Sequence, residues 1–530
     1  MSNVVTIRIN MPQREWEELR NSEPHSGRCN YENTSDRYDW FKAISVDISG
    51  SAFPRGHIFT SVAIRKRSYC GSFSTSKPAL KLHFSKYNSS NKNAIEDLIG
   101  TQYITLNNCV QDPSYIRQPL GYLLFKQVGL PYSRCNFARV YINNTYYGVY
   151  LNTEPIKKYY LQNNFNGNGK GNLYKINRGE DFLRSIMAAD RASFKGFSDY
   201  SDKSDLKLAI MEISDKGLAG MARVIDIDQF IRFFAMEALL KHCDGYTVNL
   251  SNAFIYNDVV AIAIPTVANI KFKFIPWDLD RILDKNIKFK LSDNSIPGRL
   301  VLNDANSLAK LKTEIRNYVN TVFNRDNFNK VLSPYIDLMQ NILTSAGITE
   351  LAPEIEIVRE QLKLVKSGGF QLIGECPSDS VFLLDRATGD CIHANNAEFV
   401  GTAERYQEVY HYAPTTSAVD MWHISPSDQL GTYKIKNREY GTYLYCSTTK
   451  YAPDGNLNVY SFRYDQNGGN NFYIEPVECT DQRKVSGYFR LRSARTSRYV
   501  YFSEVDSSPG GRKKVSQIAD PSKAAVLYLF

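Results

Sequence analysis

The chain has 530 residues, 43% of them hydrophobic and 22% charged, with a formal net charge of +9. By size alone it holds roughly two to four domains with ordinary globular cores. A charge this modest and this dispersed does not mark a nucleic-acid binder, and no apolar run reaches the ~18 residues of a membrane-spanning helix. Met1 is followed almost at once by the alternating stretch VVTIRI. No signal peptide is therefore expected, and the expected location is cytoplasmic or otherwise intracellular, with non-classical export left open. The nine cysteines form no CxxC pair, so free thiols are expected rather than a disulfide framework. None of the seven histidines pairs with a cysteine at zinc spacing.

Residues 1–155 read mostly as strands. Val5, Ile7 and Ile9 alternate with polar residues, as do Val62 and Ile64, and Leu80, Leu82 and Phe84; period-two alternation marks half-buried strands. One helix is expected from about Asp112 to Gln127, with Pro113 at its first position, a kink at Pro119 and a stop at Gly129. Residues 156–366 read as mainly helical. The segment from Asp228 to Lys241 carries Phe230, Ile231, Phe233, Phe234, Leu239 and Leu240. It is apolar nearly all round, so it should be buried. Amphipathic helices follow at about 306–345 and 352–366, and LVKSGG (364–369) reads as a linker.

Residues 370–530 repeat. FLLDRATGDCIH from Phe382 aligns with KIKNREYGTYLY from Lys434, at an offset of 52, and with RLRSARTSRYVY from Arg490, at a further 56. Three such units are the pattern of a pseudo-threefold β protein. The block resembles a β-trefoil of the ricin-type lectin or fascin-like kind. That resemblance implies a carbohydrate or protein ligand. The lectin Gln-x-Trp is not reproduced, because Asp420 stands in the Gln position before Met421 and Trp422. The aromatics are expected to form the core.

The chemistry-bearing stretch runs from His242 to Asp280, HCDGYTVN followed by an apolar hairpin and KFKFIPWDLD. Phosphoryl transfer by a kinase needs an Asp facing the acceptor hydroxyl, an Asn that holds a metal five residues on, and a further metal-binding Asp after the next hairpin. Asp244 and Asn249 have that offset, and Asp278 and Asp280 follow the hairpin. Asp244 is expected to be catalytic; Asn249, Asp278 and Asp280 are the metal candidates, with Asn252 a near alternative to Asn249.

This constellation, together with VVTIRINMPQREWEELRN, LNNCVQDPSYIRQPLGYLLFKQVGLP, RVYINNTYYGVYLNTEP and GNLYK, resembles the CotH kinase family of spore coat protein H-like atypical protein kinases over residues ~4–366. The resemblance implies an α+β, two-lobed protein-kinase-like fold, here followed by the all-β β-trefoil. Its N-lobe would span 1–155, its C-lobe 156–366, and the trefoil 370–530. It implies ATP and Mg²⁺ or Mn²⁺ as cofactors and a protein Ser/Thr substrate; charge and hydropathy add the expectation of no nucleic acid and no membrane span among the partners. Lys81, Lys77 and Lys175 compete as the ATP-anchoring lysine. Arg117 and Glu154 are further cofactor-binding candidates. Ser68 follows Arg67 where the family has Gly, and no Glu lies in the 112–127 helix to pair with a lysine. Two other readings stay open: a pseudokinase-type scaffold or adhesin without turnover, and a nucleotidyltransferase on the same fold.

Overall fold

The alternation at Val5, Ile7 and Ile9 becomes strand β1 (Val5–Asn10), whose buried positions are those three side chains. The structure, a computed structural model, describes residues 4–25, 27–29, 38–51, 53–183, 193–194, 202–401, 404–463, 468–478, 483–506 and 512–530. The chain forms two compact units. The first comprises residues 1–287, 292–314 and 327–359, and the second 288–291, 315–326 and 360–530. The first unit thus combines residues that the sequence pattern divides between two lobes.

In the first unit, β1 is joined by β2 (Phe41–Gly50), β3 (Phe53–Lys66), β4 (Leu80–His83), β5 (Tyr103–Asn107), β6 (Cys135–Ile142) and β7 (Thr145–Thr153). They close a barrel in the order β1-β2-β3-β4-β5-β7-β6. Closure is made by the parallel pair β1–β6, which sets Val5 opposite Ala138 and Ile9 opposite Ile142. Every second residue points inward. Val46, Val62, Ile64, Leu80, Leu82, Leu106 and Val140 meet in one core, together with Trp16 of helix α1 (Gln13–Asn21) and Ile95 of helix α2 (Asn91–Ile99). Fully burying an aliphatic side chain of this kind contributes about 1.5–3 kcal/mol.

Helix α3 spans Arg117–Gln127 and begins five residues later than its sequence pattern suggests. Residues 112–115 form a turn instead, with Tyr115 N–H donating to the Asp112 carbonyl and Tyr115 at φ 62. Pro119 then lies in the first turn, where no intrahelical N–H is needed, which removes the expected cause of a kink. After α4 (Lys158–Asn164), a second sheet forms from β8 (Leu173–Lys175), β9 (Ser193–Phe194), β10 (Ala253–Asn257) and β11 (Phe272–Pro276), in the order β11-β10-β8-β9. Helices α5 (Ser204–Val224) and α6 (Ile227–Leu239) lie between β9 and β10 in sequence. The Asp226 carboxylate accepts Gln229 N–H and caps α6, all of whose residues from Phe233 to Leu239 are buried.

In the second unit a twelve-stranded sheet closes on itself through the pairing of Cys391–Gly401 with Glu404–Tyr412. The three sequence repeats become three matching hairpins, in which Leu384 faces Cys391, Lys436 faces Tyr443 and Arg492 faces Tyr499. Each turn carries one residue at positive φ in the same place, Gly389, Gly441 and Ser497. Trp422 is fully buried in the core and donates its indole N–H to the Ile392 carbonyl. Trp422 is therefore a packing residue.

The expected fold class is corrected. In place of a two-lobed kinase-like fold and a β-trefoil, the described residues form a closed seven-stranded barrel with a helical and four-stranded remainder, and a second closed antiparallel sheet. Alternation identifies strands but does not say which strand closes on which. Two further expectations change. LVKSGG is not a linker: residues 364–369 lie inside a helix, Ala352–Ile373, and are buried. A Cβ on Gly368 would stand 2.4 Å from the Phe289 ring, so that close approach requires glycine. Cys29 and Cys70 are joined in a disulfide across 41 residues, a pairing with no local sequence signal. No helix of the described residues is long and apolar enough to cross a membrane.

Candidate active site

Helix α6 delivers the chain into the Asp244 loop. At its end Lys241 turns to φ 54 and its ammonium donates to the Asp284 carbonyl at 2.6 Å. Glu237, fully buried, organises residues 242–247. One carboxylate oxygen lies 3.0 Å from His242 Nδ1 and accepts Tyr246 N–H; the other accepts Thr247 N–H and the Thr247 hydroxyl. These bonds hold the first turn of the short helix α7 (Tyr246–Asn249) against α6. A Cβ on Gly245 would stand 2.4 Å from both Glu237 Oε1 and His242 Nδ1, so the turn closes only around glycine.

His242 Nε2 lies 3.3 Å from Asp244 Oδ1, which places the buried imidazole between two carboxylates. Burial alone would depress His242, but hydrogen bonding and charge from Asp244 and Glu237 overcome it and hold the imidazolium form well above the usual range. Asp244 Oδ1 is buried and accepts no well-aligned hydrogen bond from the described residues.

The β10–β11 hairpin brings up the second element. Trp277 N–H donates to the Asn252 carbonyl, and Asp278 follows at φ 56. Helix α3 packs beneath: a Cβ on Gly121 would stand 2.8 Å from Ile282 and 2.9 Å from Leu279. Burial raises the Asp278 carboxyl above its ordinary range; Arg67, Lys175 and His242 oppose the rise and Asp244 adds to it. Asp280 is 6% exposed and is raised further, first by burial and then by Asp278, Asp244 and Asp112. The charges of Asp244, Asp278 and Asp280 thus act on one another, and those of Arg67, Lys175 and His242 act on Asp278. The Arg67 guanidinium lies 5.3 Å from the centre of the Trp277 ring.

The remaining candidates divide. Lys175 ends β8 opposite Phe254 of β10, and its charge acts on Asp278. The Lys77 ammonium donates to the Tyr115 hydroxyl at 2.8 Å, and burial lowers its basicity. Lys81 alternates with the core residues Leu80 and Leu82 and so projects from the barrel's outer face, 4.9 Å from the Tyr103 ring centre. Arg117 is paired with buried Asp112 at 2.7 Å and lines a cavity of about 200 Å³ with Asp280 and Asp284. Glu154 is held by Arg134 at 2.6 Å. Asn249 lines a different cavity of about 550 Å³, with Arg178, Gly179, Asn294 and Arg299, whereas Asn252 borders the Trp277–Asp278 turn. Sequence reasoning missed Arg67 and Glu237. The first was named only as the Arg before Ser68 in the family's pattern, with no role given to it, and the second sits five residues before His242 with no motif attached to it.

Among the described residues no group of three or more His, Cys, Asp or Glu side chains is placed to hold a metal ion. A divalent ion of the Mg²⁺ type needs only one or two carboxylates, with water and phosphate oxygens completing its shell. The Asp244 Oδ1 atom, without a well-aligned hydrogen bond, and the buried Asp280 carboxylate fit such an ion, since carboxylate oxygens are its preferred donors.

The family model described as CotH kinase protein matches residues 67–346. Invasin CotH3 of Rhizopus delemar is 25% identical over 292 residues, covering 49% of this chain and 47% of its own. The inner spore coat protein H of Bacillus subtilis is 25% identical over 199 residues, covering 36% of this chain and 52% of its own. The chain spans about half the length of these curated relatives. Among solved structures, a Caenorhabditis elegans protein of unknown function aligns with 29% of this chain and 93% of its own, at 16% identity and a TM-score of 0.25.

Proposed function

The chain belongs to the CotH kinase protein family, and from that premise we propose that it transfers the γ-phosphoryl group of ATP to a protein Ser or Thr hydroxyl, with Mg²⁺ or Mn²⁺ as the metal. The observation that carries this reading is Asp244, 3.3 Å from the buried His242 imidazole, with the Asp278 turn tied to Asn252 through the Trp277 N–H. Asp244 takes the proton of the acceptor hydroxyl as the oxygen–phosphorus bond forms and the bond to ADP breaks. His242 positions Asp244, and Glu237 positions His242. Asp278 and Asp280 would hold the metal, with Asn252, which borders the Trp277–Asp278 turn, as the amide candidate rather than Asn249, which lines the other cavity. When bound, the metal neutralises phosphate charge and fixes its geometry. Arg67 and Lys175 neutralise the remaining phosphate charge.

A second reading is a binding protein without turnover. Lys77 donates to a tyrosine rather than to a carboxylate, so the lysine–glutamate pair of ordinary kinases is not made there, and several relatives carry the name invasin. Incubation with γ-labelled and α-labelled ATP and either metal separates the possibilities. Protein label from γ alone supports phosphorylation. Label from α indicates nucleotidyl transfer, and no label with either metal supports the binding reading.

A further inference from the structure

The hairpin that carries Asp278 at one end carries an apolar tip at the other. Between β10 and β11 the chain reads DVVAIAIPTVAN (258–269). Polar bonds close the base of this loop. Asp258 N–H donates to the Lys271 carbonyl, and the Asp258 carboxylate accepts from the Lys273 ammonium at 2.8 Å and from the Asn168 amide at 3.0 Å. Ala261 N–H reaches the Lys170 carbonyl at 3.3 Å, and a short 3-10 turn, Val267–Asn269, packs on α5. Beyond these anchors the side chains meet solvent: Val260, Ile262 and Ile264 are 55%, 41% and 84% exposed. A lone exposed aliphatic needs no explanation. Three at alternate positions of one loop form a contiguous apolar surface, and such surfaces mark binding sites.

The surroundings of the tip are cationic. Lys170 and Lys271 supply the carbonyls that hold the loop. The stem of Lys158 lies against Gly169, where a Cβ would stand 3.2 Å from its Cγ. Lys158 and Lys170 are exposed and Lys271 is half-buried. The carboxylates packed on this hairpin are engaged: Asp258 by Lys273, and Asp205 by Tyr174, Asn172 and Asn257. Aliphatic side chains ringed by lysines complement an anionic lipid surface, which takes apolar groups at the acyl boundary and attracts cations to its headgroups. The backbone favours lipid over a protein groove. Residues 258–266 have no regular secondary structure, so their N–H and C=O groups need water, which a headgroup layer supplies and a dry groove does not.

We infer that the Val260–Ile264 tip inserts shallowly into an anionic lipid surface, with Lys158, Lys170 and Lys271 against the headgroups. Strands β10 and β11 have five residues each. At about 3.4 Å per residue they hold the Trp277–Asp278 turn roughly 17 Å from the tip's base, clear of the lipid. The inference is therefore independent of phosphoryl transfer.

The test uses the full chain and co-sedimentation with phosphatidylcholine vesicles containing about 30% phosphatidylserine, at about 25 and about 250 mM salt. The parent is expected to bind at low salt, and to bind several-fold more weakly at high salt or to phosphatidylcholine alone. Ile262→Asp/Ile264→Asp is expected to bind at least about tenfold more weakly, because charges replace the inserting aliphatics. Lys158→Gln/Lys170→Gln is expected to bind about tenfold more weakly, through lost attraction to the headgroups. Ile58→Asp/Leu430→Asp, which makes the same change at side chains 72% and 96% exposed, should bind like the parent. Thermal unfolding establishes that the variants fold. Absence of parent binding to the anionic vesicles at low salt, undiminished binding by either test variant, or equal weakening by the control would each overturn the proposal. Parent self-association that Ile262→Asp/Ile264→Asp abolishes, without vesicle binding, would assign the tip to a second copy of the chain and overturn it as well.

Discussion

Replacing Glu237 by Gln removes one buried charge while keeping the side chain's shape. In the parent the carboxylate meets His242 Nδ1 at 3.0 Å, Tyr246 N–H at 3.1 Å, Thr247 N–H at 2.9 Å and the Thr247 hydroxyl at 2.7 Å. Gln turns one acceptor into an NH₂ donor aimed at groups that also donate, and it leaves a buried imidazolium with Asp244 as its remaining carboxylate. Breaking a buried pair by removing one partner costs about 3–5 kcal/mol, and a hydrogen bond to a charged group accounts for about 1.5–3 kcal/mol of such a loss. A destabilisation of about 3–5 kcal/mol is expected for the first unit, measured as a shift in its urea midpoint at constant slope. pH provides a second readout. His242 binds its proton more tightly folded than unfolded, so its contribution is fully present below the unfolded value of about 6.5 and is lost as pH rises through the folded one. The parent should lose stability across that window, and Glu237→Gln should flatten the profile because one of the two raising partners is gone. A variant within about 0.5 kcal/mol of the parent, with an unchanged pH profile, would refute the role of Glu237 as the organiser of the loop.

Asp278→Ala is expected to abolish metal-dependent ATP binding, whereas Asp244→Ala should retain binding and lose transfer; calorimetry and γ-label incorporation distinguish the two. Gly245→Ala must push Glu237 or His242 aside from 2.4 Å, and should cost about 1–3 kcal/mol in urea unfolding, less than additively with Glu237→Gln because both act on the same contacts. Removing the Cys29–Cys70 link with Cys29→Ser/Cys70→Ser opens a 41-residue separation, and should lower the stability of the first unit by about 4 kcal/mol on the chain-entropy account. A fragment beginning at residue 370 loses Phe289–Lys290, which pairs with Lys484–Val485, and the buried helical residues 364–369. Limited proteolysis should digest it faster than the same region in the full chain.

The local half of this protein could be read from the chain. Period-two burial at Val5, Ile7 and Ile9, the uniformly apolar α6, and the three hairpin repeats with Gly389, Gly441 and Ser497 at one turn position all follow from preferences spanning a few residues. The spacing of Asp244, Asp278 and Asp280 was equally visible, because a loop and the hairpin after it are close in sequence. Tertiary structure decided the rest. It pairs β1 with β6 across more than a hundred residues and so makes a barrel where a kinase-like lobe was expected. It turns Lys81 outward, gives Lys77 to Tyr115, and brings Arg67 and Lys175 to Asp278. It also buries LVKSGG, which composition alone presents as a linker. Alternation and repeat record which face of a segment is apolar. Which apolar face it meets, and therefore which charges converge, depends on contacts between residues whose separation in sequence carries no pattern.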